Sequence, residues 1–137
     1  MTIQQVQEFH RKFDLPDGEA DNDHMTKDVR EFRSGFMQEE LNEFKDAMFS
    51  VDAFDALLDL AYVVYGTALF MGISPEQWDK GMAVVHAANM TKIRAKADAS
   101  NSKRGSSFDV VKPKGFVGPE EKLKEIITNR ATGLQEL

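Results

Sequence analysis

The feature that most constrains this chain is the stretch from residue 53 to residue 73, AFDALLDLAYVVYGTALFMGI, whose only charged side chains are Asp55 and Asp59. On a helical wheel its apolar residues point to all sides, and such a helix is normally buried on all sides. Two carboxylates one turn apart in a buried helix must be protonated, paired or bound to a cation, because an isolated buried charge is very costly. The stretch therefore predicts a core helix whose acids have a partner.

A membrane-spanning helix is the other structure that so apolar a stretch can form. The uninterrupted apolar run after Asp59 covers 14 residues. A helix that spans a bilayer needs about 20. We therefore expect no membrane segment and no membrane partner.

Composition excludes several kinds of site. The chain has 137 residues, the length of one domain, and contains no cysteine. A disulfide framework, a thiolate metal ligand and a cysteine nucleophile are thereby excluded. The three histidines are scattered without metal-ligand spacing, so we predict structural roles for them. The N-terminal segment lacks the long apolar core of a signal peptide, and we expect a cytoplasmic protein.

The net charge of −6 is unevenly distributed. Residues 1–91 carry 7 basic and 17 acidic side chains, whereas residues 92–137 carry 10 basic and 6 acidic ones. The acidic part argues against a nucleic-acid partner and suits a divalent cation. The basic part, from Lys92 onward, suits an anion such as a phosphate chain.

Hydrophobic periodicity predicts an all-α fold. We expect one domain over residues 1–137, with its core at 26–97 and a tail at 98–137. The tail begins with an irregular segment rich in serine, glycine and lysine, whose best candidate for a strand is 108–111. The predicted helices cover residues 2–13, 26–49, 50–72, 74–97 and 119–131.

The predicted helix ends carry recognisable capping residues. Thr26 and Ser50 are candidate N-caps, and Gly72 suits the C′ position that follows a helix. Ser74 and Gln77 have the spacing of a capping box.

Two pairs of acids occupy positions where apolar residues are expected. Glu40 and Glu43 interrupt the apolar stripe of the second helix, and Asp55 and Asp59 share one face of the third. Counted from the turn between these helices, Glu43 lies about seven residues before it and Asp59 about nine after it, so their heights are nearly equal. The acids can therefore meet. Ligands that are all oxygen favour Mg²⁺ or Mn²⁺.

An ordinary solvated helix face is the alternative for the first pair. Glu40 and Glu43 would then form ion pairs with Lys45 or Arg33, as most helix acids do. The alternative is weaker for the acids of the third helix, whose neighbours leave no side facing water.

Several polar and basic residues also lie near the predicted end of the fourth helix. Asn89 and Lys92 are one turn apart, and Arg94 and Lys96 follow closely. An amide and several cations suit a polyphosphate ligand. The alternative is that the cations interact with the C-terminal end of the helix dipole.

The motifs Glu39-Glu40-x-x-Glu43, DALLDLAYVVYG and Asn89-x-x-Lys92 occur in this order on three successive helices. In this respect residues 26–97 resemble the all-α nucleoside triphosphate pyrophosphohydrolases. That superfamily includes the MazG-like proteins and phosphoribosyl-ATP pyrophosphohydrolase. The tract DALLDLAYVVYGTALFMGI is particularly similar to small MazG-like members.

The resemblance implies an all-α fold with a four-helix core completed by a homodimer partner, sometimes paired into a tetramer. A short N-terminal helix and an irregular C-terminal tail with a short helix are added to this core. The implied activity is Mg²⁺-dependent cleavage of a nucleoside triphosphate between its α and β phosphates, which gives a nucleoside monophosphate and pyrophosphate.

The resemblance also assigns metal ligands. Glu40 and Glu43 match the family's ExxE ligands, and Asp59 matches the aspartate of its ExxD motif. The glutamate of ExxD falls at Ala56, where this chain departs from the pattern. Asp55, one residue earlier on the same face, is the candidate replacement.

The implied catalytic groups are Glu39 or Glu43, which would orient or deprotonate the attacking water. Lys92 would neutralise charge on the leaving pyrophosphate. The implied substrate-binding residues are Asn89, Lys92, Arg94 and Lys96.

Two other functions remain open at this point. One is a non-catalytic helical dimer with a structural cation site, which the alanine at position 56 favours. The other is a pyrophosphohydrolase that acts on phosphoribosyl-ATP or another non-standard nucleotide.

Overall fold

The computed structural model describes residues 2–19 and 23–128, which form five helices and one two-stranded antiparallel sheet. The prediction of an all-α fold is confirmed. The last residues of the helix predicted over 119–131 lie outside the described part of the chain. The elements are α1 (Thr2–Lys12), α2 (Lys27–Asp46), α3 (Ser50–Phe70), α4 (Pro75–Asn89), β1 (Ile93–Arg94), β2 (Val110–Val111) and α5 (Glu120–Thr128).

Two helix starts follow the capping pattern of the sequence. The Thr26 hydroxyl accepts a hydrogen bond from the Val29 amide at 3.2 Å, which caps α2. In the capping box of α4, the Gln77 amide donates to the Ser74 hydroxyl at 3.2 Å, and the Ser74 amide donates to the Gln77 side chain at 3.0 Å. Each bond satisfies an amide that has no partner within its helix.

The ends of α3 differ in how well the sequence predicted them. Gly72 adopts a φ of 79° after the helix, and its amide donates to the Leu69 carbonyl at 3.0 Å. The Ile73 amide donates to the Ala68 carbonyl, which completes a Schellman motif. The prediction of Ser50 as N-cap was wrong, because the cap is Phe49 and no side chain caps this helix.

Helix α4 is shorter than predicted and ends at Asn89, not near residue 97. The amides of Thr91 and Lys92 each reach back only three residues, which tightens and closes the last turn. The chain then forms β1, whose Ile93 pairs with Val111 of β2. This tertiary pairing overrides the helix propensity of residues 90–97, and it confirms strand structure within 108–111.

The chain divides into two compact units, one that runs to Trp78 and resumes at Ile127, and one formed by Asp79–Ile126. In the first unit α2 and α1 both pack on α3. Its core contains Ile3 and Val6 of α1 and Leu69 of α3. The second unit contains most of α4, the β1–β2 hairpin and most of α5.

Arg33 ties α2 to α3. Its guanidinium donates hydrogen bonds to the Val63 carbonyl at 3.0 Å and to the Thr67 hydroxyl at 3.1 Å, and only 6% of the residue is exposed. Phe70 lies under the guanidinium, with its ring centroid 4.9 Å away. Gly66 makes this approach possible, because an added Cβ would lie 2.7 Å from the Arg33 side chain.

The composition of α3 predicts a helix that is buried on all sides. Within one chain this prediction is wrong. Its buried residues concentrate in the second half, from Val63 to Phe70. In the first half, Val51 is 71% exposed and Phe54 is 62% exposed. The apolar surface of this half therefore faces outward in a single copy.

Among the described residues, α3 is the one helix that is long and apolar enough to cross a bilayer. Its most apolar 18-residue window is 33% buried. A core helix of the same length and composition meets the same criterion, so this finding by itself is weak evidence for a membrane segment.

Candidate active site

The acids of α2 and α3 meet between the two helices. Carboxylate oxygens of Glu40, Glu43 and Asp59 all lie within 4.8 Å of one another, and we call these three residues the acidic cluster. The two glutamates share a helix face because they are three residues apart. The aspartate reaches the same height because the helices run antiparallel from a short connection. The structure thus brings together the three acids that the sequence placed at one level.

Glu40 is the buried member of the acidic cluster. It is 8% exposed, and within residues 2–19 and 23–128 its Oε2 atom has no hydrogen-bond partner. A buried polar atom without a partner is unfavourable, so this oxygen calls for a ligand that the chain itself does not supply. Glu43 and Asp59 are exposed, which leaves the cluster open to solvent.

The electrostatics show an excess of negative charge at this point. Burial raises the pKa of Glu40, and the charges of Glu43, Asp59 and Glu39 raise it further. Burial also raises the pKa of Asp59, with added contributions from the charges of Asp55 and Glu43. Protons or a divalent cation would relieve this repulsion, and three carboxylates form a donor set that suits a hard divalent cation.

The alternative of an ordinary solvated ion-pair face is not what the structure contains. Arg33 donates to Val63 and Thr67 instead of to a carboxylate. In the part of the chain that the structure describes, no ion pair joins Glu40 or Glu43 to Lys45. Within residues 2–19 and 23–128, the acidic cluster therefore has no counter-ion from a basic side chain.

The other predicted acids flank the acidic cluster without joining it. Asp55 and Glu39 are exposed, and they contribute charge to Asp59 and Glu40 respectively. Ala56, at the position of the family's glutamate, is buried at 1% exposure. Asp55 as fourth metal ligand and Glu39 as catalytic group stay predictions.

The predicted substrate-binding residues belong to the second unit, and Asn89 is the last residue of α4. Lys92, Arg94 and Lys96 follow the helix and are not on it, contrary to our expectation. Arg94 donates to the Ser107 carbonyl at 3.0 Å. The backbone amide of Lys96 donates to a side-chain oxygen in the same unit. Their contact with substrate stays a prediction.

Comparison with known families gives an independent result. A model of the phosphoribosyl-ATP pyrophosphohydrolase family matches residues 6–89. The matched range contains the whole acidic cluster and ends before Lys92. No curated protein matches the chain.

Proposed function

The chain belongs to the phosphoribosyl-ATP pyrophosphohydrolase family, and on that premise we propose that it is a Mg²⁺-dependent pyrophosphohydrolase of nucleoside triphosphates. It would cleave the bond between the α and β phosphates of a ribo- or deoxyribonucleotide. The products would be a nucleoside monophosphate and pyrophosphate.

The observation that carries this proposal is the acidic cluster itself. Three carboxylates lie within 4.8 Å of one another, and one buried oxygen among them has no hydrogen-bond partner in the described residues. Such an arrangement is unfavourable in isolation and becomes favourable around a divalent cation. A bound divalent cation accounts for both features, and the family match supports a reaction at a phosphate anhydride.

Glu40, Glu43 and Asp59 are the residues that would hold the cation. Mg²⁺ prefers oxygen ligands, and Mn²⁺ accepts the same set. The bound cation would supply electrostatic stabilisation of the phosphate oxygens that gain charge during the reaction.

The reaction also needs a general base that accepts a proton from the attacking water. Glu43, which is exposed, or Glu39, one turn away on α2, would accept this proton as the water oxygen bonds to the α phosphorus. The bond from the α phosphorus to the bridging oxygen breaks, and the electron pair leaves with pyrophosphate.

A turnover assay tests the proposal directly. A panel of nucleoside triphosphates is incubated with the protein in Mg²⁺, in Mn²⁺ and in EDTA, and products are identified by ³¹P NMR. We expect pyrophosphate and monophosphate in the presence of metal, and no turnover in EDTA. Release of orthophosphate and a diphosphate instead would contradict cleavage at the α–β bond.

Phosphoribosyl-ATP is the second candidate substrate, and the name of the matched family favours it. The bond cleaved would be the same, so the acidic cluster would serve both substrates. Including phosphoribosyl-ATP in the panel separates them by kcat/KM, which measures discrimination between competing substrates.

We also propose that the protein is a homodimer. Large apolar side chains at the connection of α2 and α3 are exposed in one copy, and we call these residues the apolar rim. Contiguous exposed patches of this kind mark interaction sites. A second copy would bury the first half of α3, as its composition demands. The apolar rim comprises Met48, Phe49, Val51, Phe54, Leu57 and Leu58.

Sedimentation equilibrium measures the mass in solution and tests this assignment. The chain has a mass of 15.4 kDa, and we expect the mass of a dimer or of a pair of dimers. A monomer that floats with lipid vesicles would contradict the dimer and favour a membrane role for α3.

A further inference from the structure

The second unit contains a cavity of about 450 Å³ at the β1–β2 hairpin. Its residues lie beyond the family match, which ends at residue 89. It shares one residue, Lys92, with the substrate-binding set that the sequence predicted. Its polar lining, which we call the basic pocket, comprises Lys92, Asn101, Lys103, Arg104, Asp109 and Lys112.

The basic pocket carries a net positive charge. Four of its side chains are cationic and one is a carboxylate, which gives +3. The carboxylate of Asp109 is already engaged, because Arg104 forms an ion pair with it and the Ser102 hydroxyl donates to it at 2.8 Å. Its charge is therefore compensated within the pocket.

The remaining cations have no counter-ion in the part of the chain that the structure describes. Among the described residues, Lys92, Lys103 and Lys112 form no ion pair with a carboxylate. Two of these ammonium groups lie near a single ring, at 5.8 Å for Lys92 and 5.5 Å for Lys112 from the centroid of Phe116. Each ammonium group is attracted to the ring, which helps to orient the two side chains without neutralising their charge.

The backbone of the loop that carries much of the lining is held in place before any ligand arrives. Residues 96–109 are fastened by side-chain bonds to the backbone. The amide of Lys96 donates to the Asn101 side chain at 2.8 Å, and the amide of Ser106 donates to the Ser102 hydroxyl at 3.1 Å. The amide of Ala95 donates to the Asp109 carbonyl at 2.9 Å, which extends the hairpin. A preorganised pocket loses less entropy when it binds a ligand.

We propose that the basic pocket binds a small anion that carries two or more phosphates, such as pyrophosphate or a triphosphate chain. Lysine ammonium groups are suited to phosphate as compact point charges. A cavity of about 450 Å³ takes a small anion, whereas a nucleic acid binds along an extended basic surface. The acidic balance of residues 1–91 would also repel a nucleic-acid strand.

Binding without metal tests this proposal and does not depend on the proposed function. Pyrophosphate and inorganic triphosphate are titrated into the full chain by isothermal calorimetry, with EDTA present so that no divalent cation bridges the anion to the carboxylates. The wild-type protein should bind both anions, and more weakly as salt rises. The Lys103→Gln/Lys112→Gln variant should lose about tenfold in affinity or more, because two charge-assisted contacts are removed.

The matched control is Lys122→Gln/Lys124→Gln, which removes the same charge from exposed positions of α5 outside the pocket. It should bind as the wild-type protein does. The Lys103→Arg/Lys112→Arg variant keeps the charge and should retain binding, which guards against a loss that is caused by misfolding. Absence of binding to the wild-type protein would overturn the proposal, and so would equal losses in the pocket and control variants. Tighter binding of a single-stranded oligonucleotide than of triphosphate would also overturn it.

Kinetics in Mg²⁺ then identify where the phosphate chain comes from, and only this step rests on the proposed function. A KM that rises in Lys103→Gln/Lys112→Gln with little change in kcat assigns the pocket to the substrate. An unchanged KM, with a response to added inorganic triphosphate that the variant loses, assigns it to a separate effector.

Discussion

The acidic cluster and the basic pocket hold charge of opposite sign by different means. In the acidic cluster, two long helices set the positions of the carboxylates. Glu40 and Glu43, three residues apart, share a face of α2, and the antiparallel packing brings Asp59 of α3 to them. In the basic pocket, the strands are two residues long, and the loop is shaped by hydrogen bonds that Asn101 accepts from the Lys96 amide and that Asp109 accepts from the Ser102 hydroxyl.

The difference shows which part of the protein needs a ligand most. In the acidic cluster, three carboxylates converge without a basic partner among the described residues, and one is buried. The basic pocket contains its own carboxylate, Asp109, which Arg104 already pairs with. A cation should therefore matter for the stability of the helix pair, whereas an anion should affect the hairpin less.

The largest effect should come from the acidic cluster. Glu43→Gln keeps the size of the side chain and removes its charge, so turnover should fall about 10²- to 10⁴-fold, as expected when a general base is lost. The fold should remain intact by circular dichroism. Glu31→Gln, at an exposed position of the same helix, is the control and should keep full activity. Turnover retained by Glu43→Gln would remove this residue from the site.

The next effect concerns the tie between α2 and α3. Arg33→Ala removes the buried guanidinium together with its two hydrogen bonds. The free energy of unfolding should therefore fall by about 3 kcal/mol. Arg30→Ala, at an exposed position, should change it by less than about 0.5 kcal/mol. Urea denaturation measures both. Similar losses in the two variants would contradict the role of Arg33 as a tie.

Substitution of one exposed phenylalanine in each region tests which region forms the proposed dimer interface. Phe54 of the apolar rim is 62% exposed, and Phe108 beside the basic pocket is 86% exposed. Phe54→Glu should weaken dimerisation by about 2 kcal/mol or more, since it places a charge in an apolar interface. Phe108→Glu should leave the dimer unchanged in sedimentation. Weaker dimerisation of Phe108→Glu and not of Phe54→Glu would instead assign the interface to the β1–β2 hairpin.

The smallest effect is the pH dependence, which should have opposite signs in the two regions. The pKa values of Glu40 and Asp59 are raised by burial and by like charges, so the folded helix pair gains stability as pH falls through those raised values. Hydrogen bonds from Arg104 and Ser102 lower the pKa of Asp109. Its contribution is present above the ordinary value and is lost as pH falls through the lowered one.

Carboxylate titrations by NMR would check these directions. Glu40 and Asp59 should titrate above their ordinary values in EDTA and move downward when Mg²⁺ is added. Asp109 should titrate below its ordinary value in both conditions. If Glu40 and Asp59 had the same pKa as Asp109, the predicted opposite pH dependence of the two regions would be contradicted.

The sequence predicted the acidic cluster because helical geometry is regular. The periodicity of α2 placed Glu40 and Glu43 within an apolar stripe, and counting from the connection placed Asp59 at their height. The same regularity located Thr26, Ser74 and Gly72 at helix ends.

The role of Arg33 was not predicted, although a signal was present. Arg33 is four residues after Val29 and three before Phe36, so it lies in the same apolar stripe as the two glutamates. A cation at such a position requires acceptors, and here backbone and hydroxyl oxygens provide them. From the sequence, Arg33 is considered only as an ion-pair partner for Glu40 and Glu43.

The basic pocket could not be predicted from spacing. Lys103, Arg104 and Lys112 come from a loop and from the residue after a two-residue strand, where no period applies. Segment 90–97 also favours a helix locally, and only its pairing with β2 changes this. Two features of the sequence indicated an anion site, the charge count of the tail and the group Asn89, Lys92, Arg94 and Lys96. Of that group, Lys92 alone lines the pocket.

In the proposed homodimer, the outward-facing first half of α3 would link folding to association. The folding free energy of a helix that a single copy leaves partly exposed would then depend on dimerisation, and the protein would become less stable on dilution. The amount of chain in the cell, and not its sequence alone, would then set how much of it is folded and able to act.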